Sequence, residues 1–377
     1  MSKPNILVLP SLFPSAPDDL KGVFVLDYLK SVAQHCNITV LHFTMFGKEG
    51  EKKELVDGFE VFRYSFARPG TLGKKLKLFF YPFYYYMMKR KIARHMPGKN
   101  LVHTHGAFLQ GYAAARVCKS HAIPLIITEH TGPFSKLTTN FLIKKFVKYA
   151  IEKANVLLTV SHDLKTQVLE SGIKPKRIEV TYNPVDTNLF LSGNDNSKSL
   201  RKNIVFAGRL EDYKGGLRTL KAFNKIRLLF PDWKLTLIGD GPEMTDIRQM
   251  LEQESGLSES VKCLGQIDKR QMAEEFKKGS FLFFPSAHET FGLVIAEAMA
   301  AGLPVVVSNI TAPKEFVDSE CGLLVDPYET DALLGAMKKM IETVDQYDST
   351  VIRNKIESRF GFEKFGANMM DIYNSQL

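Results

Sequence analysis

A chain of 377 residues, 45% hydrophobic and 24% charged, is too long for one ordinary core and has the balance of a globular protein with two domains. The net charge of +9 belongs to the first half: Val61 to Thr128 holds twelve Lys or Arg and no acid, a one-sided field that suits an anionic partner. Cys36, Cys118, Cys263 and Cys321 are scattered with no Cys-x-x-Cys, which argues against a disulfide frame or zinc site and for a reducing cytoplasmic compartment. No apolar run approaches the ~18–20 residues of a spanning helix, and the N-terminus is expected to be a first strand, not a signal peptide.

In chain order, β-branched and apolar runs predict strands at Asn5–Pro10, Ile38–Phe43, Val61–Phe66, Leu101–His105, Leu125–His130, Val156–Ser161 and Ile178–Tyr182. A second series follows at Asn203–Gly208, Lys234–Gly239, Val261–Gly265, Phe281–Pro285, Pro304–Ser308 and Gly322–Val325. Between strands, stretches such as Val23–Ala33, Leu217–Leu229 and Asp331–Ile341 repeat apolar residues at three and four, as helices do. Repeated βα alternation predicts parallel, doubly wound sheets. The polar segment Ser192–Ser199 reads as a linker, so two Rossmann-like α/β domains facing each other across a cleft are expected.

The chemistry-bearing residues cluster at predicted strand ends. In "HETFGLVIAEAMAAGLPVVVSN", Glu289 stands at the end of a strand, just before a helix. Glu297 lies about one and a half turns into that helix. The free N–H groups of Thr290, Phe291, Gly292 and Leu293 would favour anions or hydroxyl oxygens. Glu297 suits a ribose diol and Glu289 a second polyol. The plainer alternative is a helix N-terminal acid plus a solvated helix acid. In "FAGRLEDYKGG", Arg209 and Lys214 flank a loop leading into a helix, as a diphosphate site requires, or are two surface cations. "IGDGPE" is a Gly-rich turn in which Gly239 and Gly241 allow close backbone approach to a ligand; with Met244 at the third position it matches Gly-x-Gly-x-x-Gly only in part.

Taken together, Glu289 and Glu297 with Phe291-Gly292 between them, preceded by Gly208-Arg209-Leu210 and Lys214-Gly215, resemble the signature of family-4 retaining glycosyltransferases of GT-B architecture. "FPSAPDDLKGVFVLDYLKSVA", "LVHTHGAF", "ITEHTGPF" and "YNPVDTNLF" extend the resemblance along the chain. It implies a first domain over 1–185 that binds the acceptor, a second over 186–359 that binds the nucleotide-sugar, and a last helix, about 360–377, packing back on the first. It also assigns Arg209 and Lys214 to the donor diphosphate, Glu297 to the ribose, and Glu289 with the N–H groups of 290–293 to the sugar. Gly22 would pass close to the phosphates, although Lys21-Gly22 stands where many members carry two glycines. His105 would lie beside sugar and acceptor. No cofactor or metal is expected: there is no Asp-x-Asp, and the cation pair takes the metal's role. The donor is expected to be UDP- or GDP-linked. A 2-epimerase of the same architecture, or a non-catalytic sugar-nucleotide-binding protein, are the alternatives.

His103 and His105 alternate along one predicted strand and are expected on opposite faces, unable to share a metal. Glu129 and His130 end another strand, either touching the acceptor or capping the turn. "GKKLKLFFYPFYYYMMKRKIARHM" (Gly73–Met96) mixes seven Lys or Arg with aromatics and no acid. It suits an anionic bilayer surface, the inner face of the cytoplasmic membrane, against the alternative of a helix with a solvated cationic face. Nucleic acid is not expected, and the sequence is silent on oligomeric state.

Overall fold

The computed structural model describes residues 3–16, 19, 21–67, 77–191, 198–310 and 312–377. The chain divides into two compact units: Met1–Pro184 together with Phe362–Leu377, and Val185–Gly361. Most of the expected linker, 192–197, lies outside the described residues.

The sheet of the first unit contains β1 (Asn5–Pro10), β2 (Asn37–Gly47), β3 (Gly50–Val56), β4 (Phe59–Ala67), β5 (Leu101–His105), β6 (Leu125–Glu129), β7 (Val156–Thr159) and β8 (Ile178–Val180). Their order is β3-β4-β2-β1-β5-β6-β7-β8. Neighbours are parallel except β3 and β4, an antiparallel pair at the edge. Strand β3 was not expected from the sequence. "GEKKELV" has no buried residue, because an edge strand needs only backbone pairing to one neighbour and its charges discourage pairing with another chain. The helices are α1 (Val23–Val32), α2 (Lys77–Arg94), α3 (Gln110–His121), α4 (Phe141–Lys153), α5 (His162–Glu170) and, from the end of the chain, α13 (Phe362–Asn374).

Helix α13 completes the first core. Phe365, Met369 and Tyr373 pack with Val25, Leu29 and Val32 of α1 over β1 and β2. The two helices approach so closely that a Cβ on Gly366 would stand 2.2 Å from the Ser31 carbonyl oxygen.

The second unit holds α6 (Lys198–Arg201), β9 (Asn203–Ala207), α7 (Gly216–Ile226), β10 (Lys234–Ile238), α8 (Met244–Gln253), β11 (Val261–Gly265), α9 (Lys269–Lys278), β12 (Phe281–Phe284), α10 (Leu293–Ala300), β13 (Val305–Ser308), β14 (Gly322–Val325), α11 (Thr330–Thr343) and α12 (Ser349–Phe360). Its sheet is wholly parallel, in the order β11-β10-β9-β12-β13-β14. Strands β12 and β13 are buried throughout, which explains their unbroken apolar runs. In both units the chain starts at a middle strand and winds outward both ways. A crevice therefore opens where the winding reverses, beyond β1 and β5 in one unit and β9 and β12 in the other. Several strands end one or two residues before the expected position. The residues shed, among them His130, Gly208, Gly239 and Pro285, leave the ladder to form the loops at these ends.

Among the described residues, no helix is long and apolar enough to cross a membrane.

Gly366→Ala should destabilise the first unit by about 1–3 kcal/mol, because backbone cannot yield cheaply. Gly335→Ala, on α11 with nothing within 4 Å of the added methyl, should stabilise by about 0.5–1 kcal/mol. Denaturant unfolding of both variants checks this; a neutral Gly366→Ala would mean that α13 does not sit tightly on α1.

Candidate functional site

In the second unit, three loops leave adjacent strands and are tied together by backbone bonds. Gly208 donates to Ile238 at 2.9 Å, Leu210 to Asp240 at 3.0 Å, and Ala287 to Tyr213 at 2.6 Å. A Cβ on Gly239 (φ 131°) would fall 1.8 Å from the Gly208 carbonyl oxygen, so only glycine lets the loops after β9 and β10 meet. Gly241 passes Leu210 in the same way.

These ties bring Lys214 and Glu289 together. Lys214 ends a short 3-10 turn after β9, Glu289 lies in the loop after β12, and Nζ stands 2.6 Å from Oε1. Both side chains are mostly buried, at 18% and 10% exposure. The pair therefore sits at the reversal of the sheet. Arg209 is not drawn in with it: its side chain is 72% exposed and paired with Glu211. Gly292, in the left-handed region, caps α10. The Phe291 ring is buried against Phe316 and Phe360, so only its backbone is available to a ligand. Thr290 and Leu293 are part-exposed beside it.

Glu297 is 3% exposed within α10, and Lys269 places Nζ 2.8 Å from its Oε1. The reading of Glu297 as a solvated helix acid is thus wrong. Sequence reasoning did not find Lys269. The available signal was Asp268 with Gln271, a capping box that marks Lys269 as the first residue of α9. Glu243 was also missed. Its buried carboxylate accepts from Leu217 N–H at 3.3 Å, and burial raises its pKa.

In the first unit Gly22 caps α1 at φ 76°, and a Cβ there would lie 2.3 Å from the Leu12 carbonyl oxygen. Its smallness serves the folding of that loop on itself. Across the reversal, Ser11 N–H donates to His105 O at 3.0 Å. The expectation that His103 and His105 face opposite sides of their strand is wrong. A strand alternates with period two, so residues two apart share a face. The rings stack at 4.7 Å, and His130 extends the stack over His105 at 5.3 Å.

The stack is held from behind. His103 Nε2 lies 2.7 Å from Thr128 Oγ1, and Nδ1 lies 3.0 Å from Tyr28 OH and 2.8 Å from Tyr373 OH. His105 Nδ1 lies 3.0 Å from His130 Nε2. Burial lowers the pKa of His103 and of His130 to about 3 and, with the two neighbouring imidazoles adding to it, holds His105 well below its ordinary value. His105 is therefore a neutral hydrogen-bonding group near pH 7. The Glu129 carboxylate accepts from the N–H groups of Ala107, His130 and Thr131 at 2.9, 3.0 and 2.9 Å. That geometry favours capping over acceptor contact. Among the described residues no cluster of three His, Cys, Asp or Glu is arranged to hold a metal.

Comparison with known proteins adds independent findings. Residues 22–189 match the family model described as Glycosyltransferase Family 4, and residues 192–356 the one described as Glycosyl transferases group 1. N-acetyl-α-D-glucosaminyl L-malate synthase of Bacillus anthracis is 25% identical over 80% of this chain and 81% of that protein. Phosphatidyl-myo-inositol mannosyltransferase of Mycobacterium leprae is 31% identical over 42% of this chain and 46% of its own. The curated relatives differ in length, and this chain spans between 15% and 81% of them. Among solved structures, Anabaena HepE in complex with UDP-glucose aligns with a TM-score of 0.73 at 21% identity, covering 98% of this chain and 99% of that one.

The buried histidines make stability depend on pH. Unfolded imidazoles take up protons near pH 6.5, whereas His103 and His130 stay neutral in the folded unit down to about pH 3. Between those values the unfolded chain binds more protons, so their contribution is complete above about pH 6.5 and is lost as pH falls toward 3. The denaturant midpoint of the first unit should be lower at pH 5 than at pH 7.5, and the difference should shrink in His103→Gln. Equal midpoints in the wild type would contradict neutral burial.

Proposed function

The chain belongs to the family-4, group 1 glycosyltransferases, and on that premise we propose that it transfers a sugar, with retention and without a metal, from a UDP- or GDP-linked donor to a hydroxyl of a lipid-linked or membrane-surface glycan. The observation that carries the donor half is the Lys214–Glu289 pair at the sheet reversal. Without donor, cation and carboxylate neutralise each other. With donor, Lys214 turns to the diphosphate and Glu289 to the sugar hydroxyls, while Glu297 takes the ribose. Arg209, already in solvent, reaches the diphosphate from outside.

The acceptor oxygen bonds to the anomeric carbon on the face that the phosphate leaves. The carbon–phosphate-oxygen bond breaks, and the departing phosphate takes the acceptor's proton. Negative charge grows on that phosphate, and Lys214 and Arg209 stabilise it, at about 2–4 kcal/mol for each well-placed donor. His105 serves as a neutral hydrogen-bond partner. Glu129 acts through the loops it ties. HepE, a structural neighbour, is described in complex with UDP-glucose, which supports a nucleotide-sugar donor.

Calorimetry with free nucleoside diphosphate separates the two acids. Glu297→Gln should weaken binding through the ribose. Glu289→Gln should leave it unchanged or tighter, since Lys214 is released, while transfer assayed in EDTA collapses. Equal weakening in both variants would refute the division of roles. Conversion of the donor without any acceptor would point to the epimerase.

The acceptor half rests on α2 and α4, which both pack on α3. Tyr84, Met88 and Ile92 of α2 are buried, whereas Phe83 (53% exposed), Tyr86 (54%), Lys89 and Arg90 face outward. At the start of α4, Phe141 (76%) and Leu142 (46%) stand out of the surface, with Lys145 exposed further along the helix and Lys148 paired with Glu152. Lys91 leaves this stripe to pair with Glu51, and Lys74 and Lys75 lie outside the described residues. Aromatic bodies with flanking cations suit an anionic bilayer, and the relative named phosphatidyl-myo-inositol mannosyltransferase supports that choice. Sedimentation with anionic vesicles should fall in Lys89→Gln/Arg90→Gln and further in Phe83→Ser/Tyr86→Ser, with nucleotide binding intact. No sedimentation of the wild type at low salt would remove the membrane from the proposal.

A further inference from the structure

We propose that Lys269 is a positioning residue for nucleotide recognition, holding Glu297 ionised and aimed for the ribose diol. The proposal rests on the reading of Glu297 as the ribose ligand and names the group that makes that reading physically possible.

Glu297 stands in a helix, "LVIAEAMA", whose residues Ile295 to Ala300 are all buried. A carboxylate there is strongly disfavoured unless a cation accompanies it, and an uncompensated one takes up a proton. A protonated acid loses acceptor capacity, whereas a carboxylate can accept from both ribose hydroxyls at once.

Lys269 supplies the cation, at 2.8 Å with 18% of its side chain exposed. Its position is built into the fold. Asp268 caps α9 through Gln271 N–H, with the reciprocal bond from Asp268 N–H to Gln271, and this fixes the turn that begins with Lys269. The choice of residue runs against local preference. A helix N-terminus favours acids, and the first turn of α9 carries none. Arg270 shares that breach and is exposed, so it is the buried non-local partner that singles out Lys269.

On α9, Arg270 is exposed, while Lys277 pairs with Glu274 and Lys278 with Glu275. Arg353 of α12 donates to Ala300 O, at the far end of α10. Strands β12 and β13, also packed on α10, carry no charge.

The test compares UDP, GDP and ADP with their 2′-deoxy forms by calorimetry on the full chain, with circular dichroism to confirm folding. The wild type should prefer the ribonucleotide by roughly tenfold. Lys269→Met, which keeps the stem and removes the charge, should bring the preference close to unity, and Lys269→Arg should restore it. Lys269→Gln, which retains a polar contact to Glu297, should behave like Lys269→Met and serves if that variant does not fold. If the wild type discriminates and both neutral variants discriminate equally well, Lys269 has no positioning role and the ribose reading of Glu297 stands. If the wild type binds none of the nucleotides, or binds ribo and deoxy forms alike, the ribose reading falls and takes this proposal with it.

Discussion

A doubly wound sheet that begins at its middle strand places that strand beside the one that starts the opposite winding, with their loops departing in opposite directions. In the second unit that constraint brings the end of β9 against the end of β12. Lys214 and Glu289, 75 residues apart in the chain, become hydrogen-bonded neighbours because of it. The remaining features of the region follow from the same crowding. Gly239 and Gly241 have no room for a side chain, and Tyr213 O receives the Ala287 N–H that locks the two loops together.

Crowding also explains the charge pattern. The two acids of the motif are each met by a lysine, Glu289 by Lys214 and Glu297 by Lys269. Surface ion pairs contribute little to stability, but a mostly buried carboxylate without a cation is costly. The lysines therefore make it possible for ionised acids to stand away from bulk water, where the proposed function has them recognise hydroxyl groups.

The first unit solves a related problem with neutral groups. Its reversal lies beyond β1 and β5, and the side chains there are imidazoles stacked three deep. Tyr28 from α1 and Tyr373 from α13 close the back of the stack, so the last helix of the chain helps to set the rings in place. His103 and His105 are fully buried, His103 is bonded to hydroxyls and His105 to the part-buried His130, so the imidazoles remain uncharged and no counter-ion is needed. The outer layer of the same unit carries the opposite emphasis, with aromatic rings and cations directed outward from α2 and α4.

Sequence alone determined the alternation of strands and helices, the two-sheet architecture and the acids and glycines at strand ends. These are local signals: apolar periodicity, turn residues and a motif contained within nine positions, Glu289 to Glu297. Strand β3 stayed hidden because none of its side chains is buried: backbone pairing to β4 and ion pairs such as Glu54 with Arg63 hold it, and neither leaves an apolar pattern. The shared face of His103 and His105 was legible from their spacing, and the expectation misjudged it. What only tertiary structure decided was partnership: Lys269 with Glu297, Lys91 with Glu51, Glu129 with three backbone N–H groups, Tyr373 with His103. Most of those contacts join segments separated by tens to hundreds of residues. Which side chain meets which then depends on strand order and helix packing, and no local periodicity encodes either.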